Sequence, residues 1–380
     1  MNDIYFDNAS TTMPSQSVLE AIKPYIEEYW YNPSSLYSGG VKVRNDIEAV
    51  REQIAKFIHA KPEEIYFTSG AAEANNWAIR GFDDKYGFEV SRIISTNMEH
   101  ASTHMALKNK GLRSVVRYLD NDMFGNVDVN SIHEHIVNYV SLASVIAANN
   151  EIGTIQDIKQ IADVVHTYDG VFHTDATQLL PCVPINVKKM GIDMMSASAQ
   201  KLGGLKGTGF LYIKNSIKDR IDPLIYGEQE RGMRGGTENV IGIIAMGEAI
   251  KNIDYKCFKK VENERDYLIF SLEGMGCKLV GSRDNRLPNH VSVMLPKDCG
   301  GEEMLYTLDT CGIKCSTGSA CNSRSVEPSH VLNAIGLDKN ESQRVVRFTL
   351  PNYVNRFCID PVLDEVETAI KLLRINSRCL

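Results

Sequence analysis

One cysteine, Cys321, lies in the run Ser316-Thr317-Gly318-Ser319-Ala320-Cys321-Asn322-Ser323-Arg324-Ser325, whose residues are too small and polar to build a core. A loop of Gly and Ser can move, and a thiol at its centre can be carried to a substrate or a partner. The plain alternative is a surface loop with an incidental cysteine. Lys201 raises a related question, because Ser196-Ala197-Ser198-Ala199-Gln200-Lys201-Leu202-Gly203-Gly204 surrounds it with residues that let the backbone turn closely around a bound group. Desolvated in a cleft, its amine forms a Schiff base; on the surface it is one more solvated charge, and spacing does not separate it from Lys206.

Three further stretches offer chemistry. Thr68-Ser69-Gly70-Ala71-Ala72-Glu73-Ala74-Asn75-Asn76 leaves a strand and enters a helix through small residues, either an anion site at a helix N-terminus or a simple turn. His173-Thr174-Asp175-Ala176-Thr177-Gln178 ends a strand on an acid, which either holds a protonated ring nitrogen or caps the next helix. Glu99-His100-Ala101-Ser102-Thr103-His104 sets two imidazoles four apart, on one face if a helix runs through both. Zinc uses such pairs, but no third ligand with matching position is evident. The other reading has one imidazole stacking on an aromatic group or moving protons. Cys311, Cys315 and Cys321 match neither zinc nor iron–sulfur spacings, so no metal is expected.

These stretches need a scaffold that gathers strand ends. Ile4 to Asp7 reads as a short strand, Ser15 to Trp30 as a helix, and Asn32-Pro33-Ser34-Ser35 as a break. Val43, Ile47, Val50, Ile54, Phe57 and Ile58 recur at helical spacing. Strand-like segments then alternate with helices: 64–68, 92–95, 139–147, 171–174, 193–197 and 209–213. Such alternation implies a mainly parallel sheet covered on both faces, with ligands bound beyond the carboxyl ends of its strands. A helical stretch over 238–272, interrupted near 252–260, leads to strands at 289–295 and 345–350 and helices at 302–308 and 361–373. The expected organisation is a large domain over 15–256 and a smaller α+β domain made of 1–14 and 257–380.

Composition narrows the classes. The chain has 380 residues, 43% hydrophobic and 23% charged, ordinary values for a folded globular protein. A formal net charge of −7 disfavours a general surface for nucleic acid or anionic membrane. The first residues lack a signal-peptide pattern, and no apolar stretch is long enough to cross a bilayer, so a protein retained in the cytoplasm is expected. Nine scattered cysteines fit a reducing compartment better than a disulfide scaffold.

Taken in order, these motifs resemble the cysteine desulfurases, pyridoxal 5'-phosphate enzymes of the aspartate-aminotransferase-like fold. The likeness runs from Tyr5 to Thr12 through Asn32 to Ser35, Thr68 to Ala71, Glu99-His100 and Asn149-Asn150-Glu151-Ile152-Gly153. It continues at His173 to Gln178, Lys201, Arg231 to Thr237, the Cys321 loop with Glu327-Pro328-Ser329, and Arg347-Phe348. The resemblance implies an α/β fold of pyridoxal-phosphate type I, with a mainly parallel seven-stranded sheet in the large domain. It makes Lys201 the Schiff-base lysine, Asp175 the partner of the ring nitrogen, and His100 the stacking and proton-moving imidazole. Asn150 and Gln178 would bond the ring's phenolic oxygen and its surroundings. Phosphate contacts would fall on Gly70, Ala71, Ala72, Ser198 and Gln200, with Thr237 reaching in from the second subunit of a homodimer. Asn32 and Arg347 would hold the carboxylate of L-cysteine, and Cys321 would take its sulfur as a persulfide.

The implied products are alanine and sulfane sulfur, passed to an acceptor protein, either a scaffold for iron–sulfur cluster assembly or a tRNA-thiolation enzyme. Selenocysteine lyase, another lyase or aminotransferase of this fold, and a weakly active sulfur relay are the competing readings. Three positions depart from the family pattern: Gln200 replaces a histidine, Ala72 a threonine and Pro351 a glycine. The first two remove a potential cation and a hydroxyl from the phosphate's surroundings, which predicts weaker cofactor retention.

Overall fold

The computed structural model describes residues 3–87, 91–137, 141–317 and 329–377. The Cys321 loop, from Gly318 to Pro328, lies outside them. Thirteen strands are present among the described residues: β1 (Ile4–Tyr5), β2 (Ile65–Thr68), β3 (Arg92–Thr96), β4 (Val115–Leu119), β5 (Ser141–Ser144), β6 (Val171–Asp175), β7 (Met194–Ser198), β8 (Gly209–Ile213), β9 (Lys278–Leu279), β10 (His290–Met294), β11 (Ile313–Lys314), β12 (Ser316–Thr317) and β13 (Val345–Thr349).

The main sheet has seven strands in the order β2-β8-β7-β6-β5-β3-β4. Strands β3 to β7 pair in parallel, while β8 is antiparallel to both β2 and β7. Side chains alternate between two apolar layers, as the pleat requires. Ile65, Phe67, Phe210 and Tyr212 enter one core, whereas Tyr66, Leu211 and Ile213 enter the other.

Helices α1 (Gln16–Glu27), α2 (Ser38–Ile58), α6 (Ile158–His166) and α7 (Val240–Lys251) carry the first layer. Helix α3 (Ala71–Tyr86) carries the second with the fully buried Trp77, and the short α4 (Ala101–Leu107) joins it there. Local chemistry sets several starts: Ser15, Asp157 and Asn239 each accept a first-turn N–H of α1, α6 and α7. A further short helix, α5 (Ile132–His135), precedes β5.

The C-terminal part has its own antiparallel sheet, ordered β12-β13-β10-β9, and an apolar core that includes Phe6, Leu268, Met304, Phe348 and Ile359. Helices α8 (Phe258–Gly274), α9 (Gly301–Thr310) and α12 (Arg356–Ser377) pack around it. Two short helices, α10 (His330–Ala334) and α11 (Lys339–Ser342), precede β13. The N-terminal strand joins this part, with β1 parallel to β11.

Most expected elements are present with ends moved by a few residues. Strand β4 was not anticipated; its pattern is half-exposed and carries Arg117, because it is the sheet edge. Helix α12 begins at Arg356, five residues before Pro361. A proline read as a helix start instead lies one turn inside, where its missing N–H costs a single ladder bond.

Candidate active site

Candidate residues of the large sheet meet at one end of its strands because of strand register. Thr68 of β2 is opposite Gly209 of β8, and Gly209 is opposite Ser198 of β7. The next strand places Asp175 opposite Ser196. The turns after β2, β6 and β7 therefore open side by side, although about a hundred residues separate the first from the second. Gly209 makes this approach feasible: a Cβ there would lie 2.4 Å from the Ala197 oxygen and 2.7 Å from the Gly70 Cα.

Gly70 is the N-cap of α3, at φ 149, with no side-chain cap. A Cβ built on it would face Ser198 Oγ at 3.9 Å, so glycine, serine hydroxyl and the first turn of α3 border the same small space. Ala71 and Ala72 are the first residues of that turn. Gln200 follows Ser198 in a short turn, and its carbonyl oxygen accepts from Thr12 N at 3.0 Å and Thr12 Oγ1 at 2.8 Å.

Asp175 is buried at the end of β6. Its Oδ2 accepts from Asn75 Nδ2 at 2.7 Å, and its Oδ1 accepts from the Thr177 N–H at 2.9 Å. His100 caps α4 instead of lying within it, so it and His104 do not share a helical face. Its Nδ1 is 2.8 Å from Ser102 Oγ. Burial pushes the imidazole below its ordinary range, against the pull of Asp175 and with an added push from Lys201. His104 stacks on His330 with ring centroids 4.1 Å apart. Among the described residues no cluster of three or more metal-ligating side chains is present.

The N-terminal segment closes the other side. Lys201 Nζ donates to the Ser10 carbonyl oxygen, and Gln178 Nε2 donates to that of Ala9 at 2.9 Å. Arg347 on β13 is buried, donating to Asp7 Oδ1 at 2.8 Å, Ser10 Oγ at 2.9 Å and the Asn150 carbonyl oxygen at 2.9 Å. Lys201, Gln178, Thr11, His290 and Pro351 line a cleft of about 1190 Å³, bordered by Val18 and Leu202 of one apolar core and Leu350 of the other.

Two candidates stand apart. Asn32 is exposed, its Oδ1 accepting from the Ser34 N–H at 2.8 Å, and no hydrogen bond among the described residues joins it to Arg347. Thr237 is exposed just before the Asn239 cap of α7. Cys321 lies outside the described residues.

Sequence reasoning assigned no role to Asn75 or Ser102, yet Asn75 Nδ2 bridges Asp175 to Ser102 Oγ, the latter at 3.0 Å. A signal existed: Asn75 interrupts the buried stripe Ala74, Trp77, Ala78 of α3, and a polar group there must find partners.

The chain matches the model of the aminotransferase class-V family over residues 4–361. It is 41% identical, over 99% of its length and 96% of the relative's, to a protein named cysteine desulfurase IscS from Dictyoglomus turgidum. The chain belongs to the cysteine desulfurases. Among solved structures, a NifS-like protein matches this desulfurase with a TM-score of 0.88 and 32% identity, covering 97% of this chain and 100% of that one. Another, described as SspA in complex with cysteine, matches with a TM-score of 0.81 and 34% identity, covering 92% and 99%.

Pyridoxal phosphate is the cofactor of this desulfurase. The residues present fit it. A carboxylate, a lysine and a helix N-terminus are what its ring nitrogen, aldehyde and phosphate require. Asn150 Oδ1 and Thr177 Oγ1, in the loops that follow β5 and β6, are also buried without partners. Buried polar atoms of that kind are costly unless something bonds them. No helix among the described residues is long and apolar enough to cross a membrane.

Proposed function

We propose that this desulfurase converts L-cysteine to L-alanine, holding the released sulfur as a persulfide on Cys321 for a protein acceptor. The observation that carries the reading is the convergence of the Gly70, Asp175 and Ser198 turns at the same end of neighbouring strands. In it, Gly70, Ala71, Ala72, Ser198 and Gln200 hold the phosphate, with Thr237 supplied by the second subunit of a homodimer. Asp175 holds the ring nitrogen, His100 covers the ring, and Asn150 and Gln178 bond its oxygen. When bound, pyridoxal phosphate supplies an electron-poor ring that stabilises charge at the substrate's α-carbon.

The chain's own groups do the rest. Lys201 Nζ anchors the cofactor and carries protons at the α-carbon, while Arg347, with Asn32, takes the substrate carboxylate. Arg347 Nε, buried without a partner, is a donor for it. The Cys321 thiolate attacks the substrate sulfur; an S–S bond forms as the C–S bond breaks, and the carbon skeleton keeps that electron pair and takes up protons. One cysteine and one thiol thus become one alanine and one persulfide. Thiol exchange then passes the outer sulfur on.

The division into 15–256 and 1–14 with 257–380 belongs to the same reading, supported by the separate apolar cores on either side of the cleft. So do a cytoplasmic setting and an acceptor for iron–sulfur cluster assembly or tRNA thiolation. The test is to add L-cysteine to the purified chain and follow alanine, sulfide and the cofactor's absorbance, with Lys201→Ala and Cys321→Ser alongside. Alanine from the parent chain and none from either variant is expected. No alanine from cofactor-loaded parent protein would overturn the reading.

A further inference from the structure

The polarity of the hydrogen bonds around His100 can be followed atom by atom. Asp175 is an acceptor when ionised, so the Asn75 amide must turn its Nδ2 toward it, as the 2.7 Å contact requires. The remaining hydrogen on Nδ2 then goes to Ser102 Oγ at 3.0 Å. With Ser102 Oγ accepting there, its own hydrogen is directed to His100 Nδ1 at 2.8 Å. The Ser102 backbone N–H also points to that nitrogen, at 3.2 Å. Two donors on one ring nitrogen leave it without a proton of its own.

We propose that Asn75 and Ser102 are positioning residues which relay the acceptor polarity of Asp175 to His100 as a fixed direction of hydrogen bonds, holding the imidazole neutral with its single proton on Nε2. This deepens the proposed site, resting on His100 and Asp175 facing the cofactor. The consequence is directional. His100 donates through Nε2 but accepts a second proton only by displacing both the Ser102 hydroxyl hydrogen and the Ser102 N–H from Nδ1. The titratable groups around the ring, Asp175 from β6, Lys201 after β7 and His330 from α10, act on it from other elements. Asp175 is hydrogen-bonded into the Asn75–Ser102 chain.

Histidine-selective ¹⁵N NMR of the full, cofactor-loaded chain reads the tautomer directly, with His100→Gln identifying the signal. A protonated Nε2 and bare Nδ1 are expected; a proton on Nδ1 overturns the proposal. A pH titration of the same signal gives the second arm. Ser102 is half-buried, so Ser102→Ala leaves the fold intact, removes one donor that favours the neutral ring, and should tighten proton binding at His100 about tenfold. Ser102→Thr, which keeps the hydroxyl, should restore the parent value. An unshifted Ser102→Ala titration, or a Ser102→Thr variant that follows Ser102→Ala, also overturns it. These readouts do not depend on turnover, so failure to release alanine and failure of the hydrogen-bond chain are separately visible.

Discussion

Arg347 Nη2 donates to Asp7 Oδ1 at 2.8 Å, tying the middle of β13 to the segment that follows β1. Ser10 Oγ shares the same nitrogen and the Asn150 carbonyl takes Nη1, so the guanidinium is held on three sides before any substrate arrives. Lysine cannot reproduce a planar, multiply bonded fork. Arg347→Lys should lower kcat/KM for L-cysteine by about 10- to 100-fold, chiefly through KM, the loss of a charge-assisted contact of roughly 1.5–3 kcal/mol. Cofactor absorbance should be unchanged. Steady-state alanine release checks this, and an unaltered KM would show that the carboxylate binds elsewhere.

Arg51 and Glu230 form a buried bidentate pair, at 2.7 and 2.8 Å, and Glu230 also accepts the Phe67 N–H at 2.9 Å. The pair pins the turn in which Glu230 and Arg231 have φ of 47 and 59, unusual values for side-chain-bearing residues. Glu230→Ala leaves the buried guanidinium with Glu48 and the Ile65 carbonyl oxygen but without its bidentate partner, and should cost about 3 kcal/mol of stability. The double replacement Arg51→Met, Glu230→Met should be milder. Urea unfolding of the three proteins compares them; an unshifted midpoint for Glu230→Ala would remove the pair from the account.

In the proposed site, Gln200 and Ala72 border the phosphate. Gln at that position is a neutral donor, and Ala72, in the first turn of α3, has no hydroxyl. One missing charge-assisted contact, about 1–2 kcal/mol, corresponds to roughly tenfold or more in affinity. A Gln200→His, Ala72→Thr protein should retain pyridoxal phosphate through dialysis that strips the parent. Equal absorbance after dialysis would contradict this.

Glu99 gives a pH dependence. It is fully buried, and desolvation raises its carboxyl to about 8, despite the Ile146 N–H and Thr96 hydroxyl that favour the charged form; Asp175 adds to the rise. Since the folded value lies above the unfolded one, its contribution is complete below the ordinary 4.5 and is lost as pH rises toward 8. Glu99→Gln keeps an acceptor for both donors and cannot ionise. Its melting temperature should therefore fall less than the parent's between about pH 5 and 8. Parallel melting curves would rule Glu99 out as the source.

Chemistry carried within a single strand-end turn was legible in the linear chain. Asp175 ends its strand, Gly70 and Lys201 lie just beyond theirs, and the identities of these residues fit one cofactor. The helix starts at Ser15, Asp157 and Asn239 were equally local, since a cap bonds an N–H only three residues on.

What no local pattern contained was the distance between turns. That Thr68 meets Ser198 across Gly209 follows from antiparallel register with β8, a strand whose apolar run reads alike in either direction. The pairing of His100 with His104 looked helical, yet the chain enters α4 at His100, sending one ring toward Asp175 and the other onto His330. The sequence by itself therefore determined which chemical groups this desulfurase carries in each strand-end turn, because side-chain chemistry is a property of each residue. Only the tertiary structure decided that Asn75 and Ser102 stand between Asp175 and His100, because a hydrogen bond depends on where three separate segments come to rest.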